Sequence, residues 1–447
     1  MLQYAGDSFK YINTTGEIVA VLLGAIIWLG YVLVKGRSLS GDSLQHILWF
    51  TFWMGQFNKS VRSPRLVLLG NGIIGLVGLI VLVQSVRKTT LRLDLLVPYL
   101  MASVLLYTGA TLLWYHDGRN VKVFFIGLIL WCAVLWYFRC HGLMAFLDHV
   151  FTGFGWLIAY IAVQVLVFEL LFPGQRAAGI GIAGPFRANS LTRNLFVLLV
   201  GLFFRYFVIR DVRRISFYFL CVISMLLNFL TLSRSGMALM YLFLLGNLRA
   251  LGRSERYAVI LLSCVALPVV WLSEDFTVRF KHRFFETGDG GRLEGIKVVI
   301  DEGKRELLWG HGFMKSSVED FLSSSNIYRE RGYSSHCYFA SVFYEFGLLG
   351  SCVYAALSTV VFYRLYRMSR FCVSYKFALV SYVCFVLSGF FENSSWWPIT
   401  PFGFLATVMI VTASGVVRQF EADPYPVVNS PPYRFDSTPQ VETAVGI

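Results

Sequence analysis

Long apolar runs separated by short polar breaks dominate the chain. The clear runs lie near residues 17–34, 66–85, 93–115, 121–138, 148–172, 195–209, 216–233, 257–273, 338–363, 376–393 and 399–416. Each is long enough, or nearly so, to cross roughly 30 Å of hydrocarbon as a helix. The run 236–249 is shorter but keeps the same alternation, and 44–57 is too short to be trusted as a full span. The pattern predicts an all-α polytopic integral membrane protein with about 12–13 transmembrane helices. Transmembrane helices fill residues 1–172, and a central set with external arginine-containing loops fills 173–273. One large external loop with short helices covers 274–336, further transmembrane helices cover 337–417, and a tail covers 418–447.

Composition agrees with this picture. The 447 residues are 56% hydrophobic and only 15% charged, with a mean hydropathy of +0.63. A soluble domain carries about 25% charged residues, so most of this chain belongs in lipid. The N-terminus lacks the short apolar core and small-residue cleavage site of a signal peptide, which predicts that the first run is a retained span. Eight cysteines (Cys132, Cys140, Cys221, Cys264, Cys337, Cys352, Cys372 and Cys384) lie mostly in apolar runs without ligand spacing. They suggest neither a zinc site nor a disulfide framework.

The net charge of +13 is scattered among the spans, which argues against nucleic acid. Part of it orients the chain. Arg87, Lys88 and Arg92 lie on one side, with Arg210, Arg213 and Arg214. Arg249, Arg253 and Arg256 follow on that side, then Arg364, Arg367, Arg370 and Lys376. These short basic loops fall on alternate connections and are therefore read as cytoplasmic. The tail from Arg418 is cytoplasmic too, and its end (Pro424, Pro426, Pro431, Pro432) reads as disordered. The external side then receives loop 173–194, the turn at Ser233-Arg234-Ser235-Gly236, loop 274–336 and Ser394-Ser395-Trp396-Trp397-Pro398. Arg187, Arg193, Arg234, Arg279, Arg283 and Arg292 sit there against the rule. They predict an anion site at the external face.

Each candidate has an ordinary reading beside the functional one. Arg234 is either a snorkelling side chain in a helix connection or part of a phosphate clamp. The clamp exploits a planar fork of donors that matches phosphate oxygens, with Gly236 admitting an anion to the helix start. Arg187, in Gly184-Pro185-Phe186-Arg187, is either a solvated charge or a second arginine for a diphosphate. Gly290-Gly291-Arg292 begins a stretch with Leu293, Ile296, Val299 and Ile300 at helical spacing, an amphipathic helix lying at the outer surface. Leu308-Trp309-Gly310-His311-Gly312-Phe313 is a glycine-broken turn. His336 is either an interfacial histidine bonded to a loop carbonyl or a titratable group at a helix entrance. His282 and His311 share its loop, whereas His46, His116, His141 and His149 are near spans or short loops. Glu345 is an ionisable group inside the span that follows, and such groups are functional candidates by default.

Taken in order, these pieces resemble the O-antigen ligase and O-antigen (exopolysaccharide) polymerase superfamily of polytopic membrane glycosyltransferases. The matching elements are Ser233-Arg234-Ser235-Gly236, Arg292 at a Gly-Arg-Leu-Glu helix start, Gly310-x-Gly312, His336 ahead of Tyr338, and Glu345-Phe346-Gly347-Leu348-Leu349-Gly350. The resemblance covers roughly residues 180–400. Two positions depart from it: Leu307-Leu308-Trp309 stands where a proline commonly precedes the glycine turn, and Cys337 stands where an asparagine often follows the histidine.

The resemblance implies a bacterial inner-membrane enzyme with its active site facing the periplasm. Such an enzyme transfers a glycan from an undecaprenyl-diphosphate-linked donor, using no cofactor and no metal. The acceptor is another lipid-linked repeat unit in a polymerase, which is the reading preferred here, or the lipid A–core saccharide in a ligase. It further implies that His336 is catalytic and that Arg187, Arg234 and Arg292 hold the diphosphate, with Arg193, Arg279, Glu345 and Tyr338 in support. Chemically, preorganised arginines would stabilise the departing diphosphate and His336 would deprotonate the acceptor hydroxyl. A membrane transporter is the competing class, but its usual internal repeats are not seen between the two halves of this sequence.

Overall fold

The structure is a computed structural model that describes residues 12–37, 41–86, 95–114, 118–172, 185–186, 188–231, 233–248, 251–257, 292–313, 337–390 and 397–415. Thirteen α-helices are named among them. The first six are α1 Thr14–Gly36, α2 Gly41–Asn58, α3 Pro64–Val86, α4 Leu96–Trp114, α5 Gly118–Val150 and α6 Phe154–Leu171. Next come α7 Ala188–Phe203, which continues as a π-helical turn Phe204–Ile209, then α8 Arg214–Leu230 and α9 Arg234–Asn247. The last four are α10 Arg292–Gly303, α11 Tyr338–Ser369, α12 Val373–Ser388 and α13 Pro401–Thr412. No strand occurs among the described residues; one isolated bridge joins Val61 to Phe186.

Among the described residues, six stretches are long and apolar enough to cross a membrane, from 18 to 52 residues, and four further apolar helices are shorter. The longest, Asn120–Leu171, includes a turn at 151–153 that separates α5 from α6. An all-α membrane protein is the architecture these helices build. Leucines and phenylalanines stay exposed along their outer faces, as at Leu68, Leu106 and Leu166. That arrangement suits a lipid surround, because lipid tails leave no hydrophobic penalty for such side chains.

Contacts sort the helix ends into two sets. At one end Ile12 N–H donates to the Arg62 carbonyl, and Arg62 N–H donates to the Pro185 carbonyl. Gln56 reaches the Pro398 carbonyl, Asn120 the Phe313 carbonyl and Trp397 the Val123 carbonyl. The opposite set is the basic end. There Arg205 meets Asp148, Arg214 meets Glu255, and Arg364 donates to the Ala413 carbonyl.

Helix α2 covers the run expected to be too short. It has 18 residues, about 27 Å of rise, and it runs antiparallel to both neighbours. Trp28 bonds Thr51 and Ile12 bonds Arg62, while Gln45 bonds Gln84 and Gly55 abuts Gly70. Its polar residues Ser43, His46 and Gln56 lowered its apparent hydropathy, yet all three are buried against protein. A helix enclosed by helices can carry groups that a lipid-facing one cannot. Around it lies an aromatic core in which Phe404 packs on Trp49, Phe52 and Trp53, and Phe154 on Trp53.

Two other expectations shift. The run 148–172 is not one helix, because residues 148–150 end α5 and α6 starts at Phe154. Arg193 lies inside α7 rather than in an external loop, since α7 begins at Ala188. The run 257–273 falls almost entirely outside the described residues.

Candidate functional site

Of the residues singled out from sequence, His336, Arg187 and Arg279 lie outside the described residues. Arg234 and Arg292 are described in their helices but not in their side chains, and each is the first residue of its helix, α9 and α10 respectively. That position matters because the first N–H groups of a helix lack intrahelical acceptors and carry a partial positive charge.

Ser233 forms the N-cap of α9, with extended backbone and its hydroxyl accepting the Gly236 N–H at 3.4 Å. Serine favours this position because its oxygen satisfies one orphan donor. Thr192 of α7 donates to the Ser233 hydroxyl at 3.4 Å, and Asn228 of α8 donates to the Gly236 carbonyl at 3.2 Å. A Cβ on Gly236 would come within 2.4 Å of Thr192. This glycine therefore serves the approach of α9 to α7, and the space in front of it is filled by Thr192 rather than open to an anion.

Helix α10 packs where the sequence pattern predicts an amphipathic helix. Its Val299, with Ile296 and Val298, forms an apolar cluster with Cys337, Ala340 and Tyr344 of the α11 start. Its apolar face thus lies on another helix, and Ile300 stays 36% exposed. The N-terminus of α11 is tied in turn to the C-terminus of α12, through a 2.7 Å bond from Tyr338 N–H to the Gly389 carbonyl.

The two glycine motifs, 310–312 and 347–350, interlock. Gly347 has φ 62° and ψ −163°, which breaks the α11 ladder inside the helix. The freed carbonyls of Tyr344 and Glu345 accept the N–H groups of His311 and Gly312, both at 2.8 Å. Beyond the break, Leu348 N–H donates to the Leu307 carbonyl at 2.8 Å and Leu349 N–H to the Leu308 carbonyl at 3.3 Å. Gly310 also has positive φ, and a Cβ there would lie 2.4 Å from Gly347 N. His311 stacks on Tyr344 with centroids 4.2 Å apart. Tyr107 of α4 donates to the Phe346 carbonyl at 2.8 Å. Glu345 and Tyr338 are thereby held on a backbone locked at both ends of one helical segment.

Sequence reading passed over a second polar cluster, at the basic end. Gly142 (φ 74°) kinks α5, and the turn after the kink carries Asp148 and His149 toward α2. His46 Nε2 lies 3.3 Å from Asp148 Oδ2, and His46 Nδ1 lies 2.7 Å from the Asp42 carbonyl. His149 Nδ1 lies 2.7 Å from the Tyr137 hydroxyl, and His149 Nε2 lies 3.9 Å from Asp42 Oδ1. The two imidazole rings stand edge to face at 4.8 Å. Arg205, presented by the π-helical turn, donates to Asp148 Oδ1 at 3.3 Å and to Asp211 Oδ1 at 3.1 Å. Both histidines are buried while Asp42 is open to solvent. The partners are about a hundred residues apart in sequence, so no local spacing announces them. Their only linear signal is ionisable residues at the ends of apolar runs.

No disulfide joins the described cysteines. No family model matches the chain, and no curated protein matches it either.

Proposed function

We propose that the chain is a membrane glycosyltransferase that moves a glycan from an undecaprenyl-diphosphate-linked donor to an acceptor sugar hydroxyl. The reading rests on the residues in which the sequence resembles the O-antigen ligase and polymerase superfamily. One structural observation supports it most: Arg234 and Arg292 each occupy the first position of a helix, while α11 begins two residues after His336. A guanidinium at a helix N-terminus adds a full charge to the partial positive charge and N–H donors already there, the combination a diphosphate needs. Arg205, Arg214 and Arg364 gather at the other end of the bundle, and by the positive-inside rule this supports reading the site's face as periplasmic.

In the proposed step the acceptor oxygen attacks the anomeric carbon. Its proton passes to His336, and the bond from that carbon to the diphosphate oxygen breaks. The electron pair leaves with the lipid diphosphate, whose charge Arg187, Arg234 and Arg292 stabilise. A single displacement inverts the anomeric centre. The preferred acceptor is a second lipid-linked repeat, making the enzyme a polymerase.

The test is transfer from a lipid-diphosphate oligosaccharide by membranes containing the full chain. His336→Ala should lower turnover by about two orders of magnitude or more, whereas Arg234→Ala and Arg292→Ala should raise the KM for donor. Normal transfer by His336→Ala sinks the general-base role. Unchanged donor KM in both arginine variants sinks the clamp. In a deletion strain, single repeats still attached to lipid A mean a polymerase, and accumulated lipid-linked polymer means a ligase.

A further inference from the structure

We infer that the His46–Asp148–His149 cluster at the basic end binds one divalent transition-metal ion of the zinc class, pinning α2 to the elbow between α5 and α6. One ring nitrogen of His46, one of His149 and an Asp148 carboxylate oxygen all lie within 4.8 Å of one another. Asp42 Oδ1, 3.9 Å from His149 Nε2, supplies a fourth donor. A tetrahedral zinc with bonds of about 2.0–2.1 Å holds its ligands roughly 3.4 Å apart. The set therefore needs to contract by little more than an ångström on binding, and the exposed Asp42 side chain is free to swing in.

The surroundings of the imidazoles point the same way. His46 Nδ1 sits 2.7 Å from the Asp42 carbonyl, an acceptor only, so this nitrogen carries a proton and Nε2 is left to serve as the ligand, an ion displacing the hydrogen bond it makes to Asp148 Oδ2. The Tyr137 hydroxyl holds His149 Nδ1 at 2.7 Å. Ring nitrogens engaged in this way orient metal-bound histidines and raise their basicity. Arg205 takes the other oxygen and the carbonyl of Asp148, which fixes that carboxylate and leaves Oδ2 toward His46.

Charge and chemistry match as well. Asp42, Asp148 and Asp211 contribute three negative charges and Arg205 one positive, leaving a local −2 that a divalent cation neutralises. Imidazole with carboxylate favours zinc and its neighbours over magnesium or calcium, which prefer all-oxygen shells. The ion enters from solvent past Asp42, the only one of its four donors that is mostly exposed. This site sits at the opposite end from Arg234 and the start of α11, so it stands or falls independently of the transfer reaction.

The full chain, purified in detergent with a tag free of histidine, is stripped with chelator and dialysed against Zn2+ or Co2+. About one Zn2+ per chain should be retained, and Co2+ should give the intense visible bands of a four-coordinate site. Zn2+ should also raise the thermal transition of the stripped protein. His46→Gln and His149→Gln should each weaken retention roughly 100-fold, and Tyr137→Phe roughly 10-fold. His311→Gln, at the other end, should change nothing. Absence of both retained Zn2+ and a Co2+ spectrum in the wild type overturns the inference and leaves an ion-free hydrogen-bond network. Full retention by the His46→Gln/His149→Gln double variant overturns it too. The wild-type Co2+ spectrum decides alone if the variants do not fold.

Discussion

Replacing Gly347 by alanine tests the backbone lock directly. At φ 62° and ψ −163° the residue occupies a region open essentially to glycine alone, where another residue stores on the order of 1–3 kcal/mol of strain. The added Cβ would also lie 2.5 Å from both the carbonyl carbon and oxygen of Leu308, and 2.7 Å from Gly310 N. Those are backbone atoms and cannot rotate away. Segment 307–312 must therefore lift from α11, stretching the bonds from His311, Gly312, Leu348 and Leu349. Each contributes about 1 kcal/mol net. Losing half of them on top of the strain gives a cost of roughly 3–5 kcal/mol.

The assay is thermal unfolding of the purified chain in detergent, with Gly72→Ala as the reference. Gly72 lies in α3 with nothing within 4 Å of the added methyl and with ordinary helical φ, so alanine there should be neutral or stabilising by up to about 1 kcal/mol. Gly347→Ala should melt several degrees lower and Gly72→Ala should not. Equal melting temperatures for the two variants would refute the lock.

Three further outcomes follow from single contacts. Tyr107→Phe removes the hydroxyl that donates to the Phe346 carbonyl and should cost about 1 kcal/mol. In the Gly347→Ala background the same change should cost less, a coupling readable from a double-mutant cycle. Trp397→Ala removes a 2% exposed ring that stacks on Phe124 and packs on Phe313; a loss of roughly 3–5 kcal/mol in thermal or denaturant unfolding is expected. Lys59 donates to the Ile399 carbonyl just past α2, and burial pushes its pKa down to about 8. Between about 8 and the ordinary lysine value the unfolded chain binds more protons than the folded one, so stability should rise with pH across that window. Below it both states are protonated and the burial penalty is complete. Melting temperatures taken from about pH 7 to about pH 10 should climb more steeply for wild type than for Lys59→Met, and parallel profiles would contradict the assignment.

The helices were legible wherever a span faces its surroundings on most sides, because hydropathy records that environment. α1 and α3 are such cases, with Leu22, Ile26, Leu68 and Leu76 exposed. Hydropathy is weaker over α2, which is not among the six candidate spans, for the opposite reason: it packs largely against protein, so its buried polar side chains need not face lipid and its apolarity need not be continuous. The elbow at 151–153 was invisible because Phe151-Thr152-Gly153 is nearly as apolar as a span, and only the left-handed Gly153 (φ 67°) marks the turn. Helix starts read better than helix pairings. Ser233 before Arg234 is a local capping signal, whereas the fit of Gly310 against Gly347 is a pairing across 37 positions.

The same distinction separates the two polar sites. Arginines on the side of the membrane where topology does not require them are anomalous in one dimension, so the proposed diphosphate site could be nominated from sequence. What sequence could not do was judge the glycine beside Arg234, whose open space belongs to Thr192. His46 and His149 raise no anomaly singly, for a histidine near a span end is ordinary. They become a candidate site only once the Gly142 kink brings the end of α5 against α2, with Tyr137 and the Asp42 carbonyl each holding a ring nitrogen. A ligand set divided between a helix start and a kinked helix end has no spacing to recognise. In a bundle of this kind such sets are therefore to be sought where backbone irregularities cluster: the Gly142 kink, the π-helical turn bearing Arg205 and the left-handed Arg210 all surround this one. Each departs from ideal helix geometry at some cost, and the polar contacts of Asp148 and Arg205 are what those departures make possible.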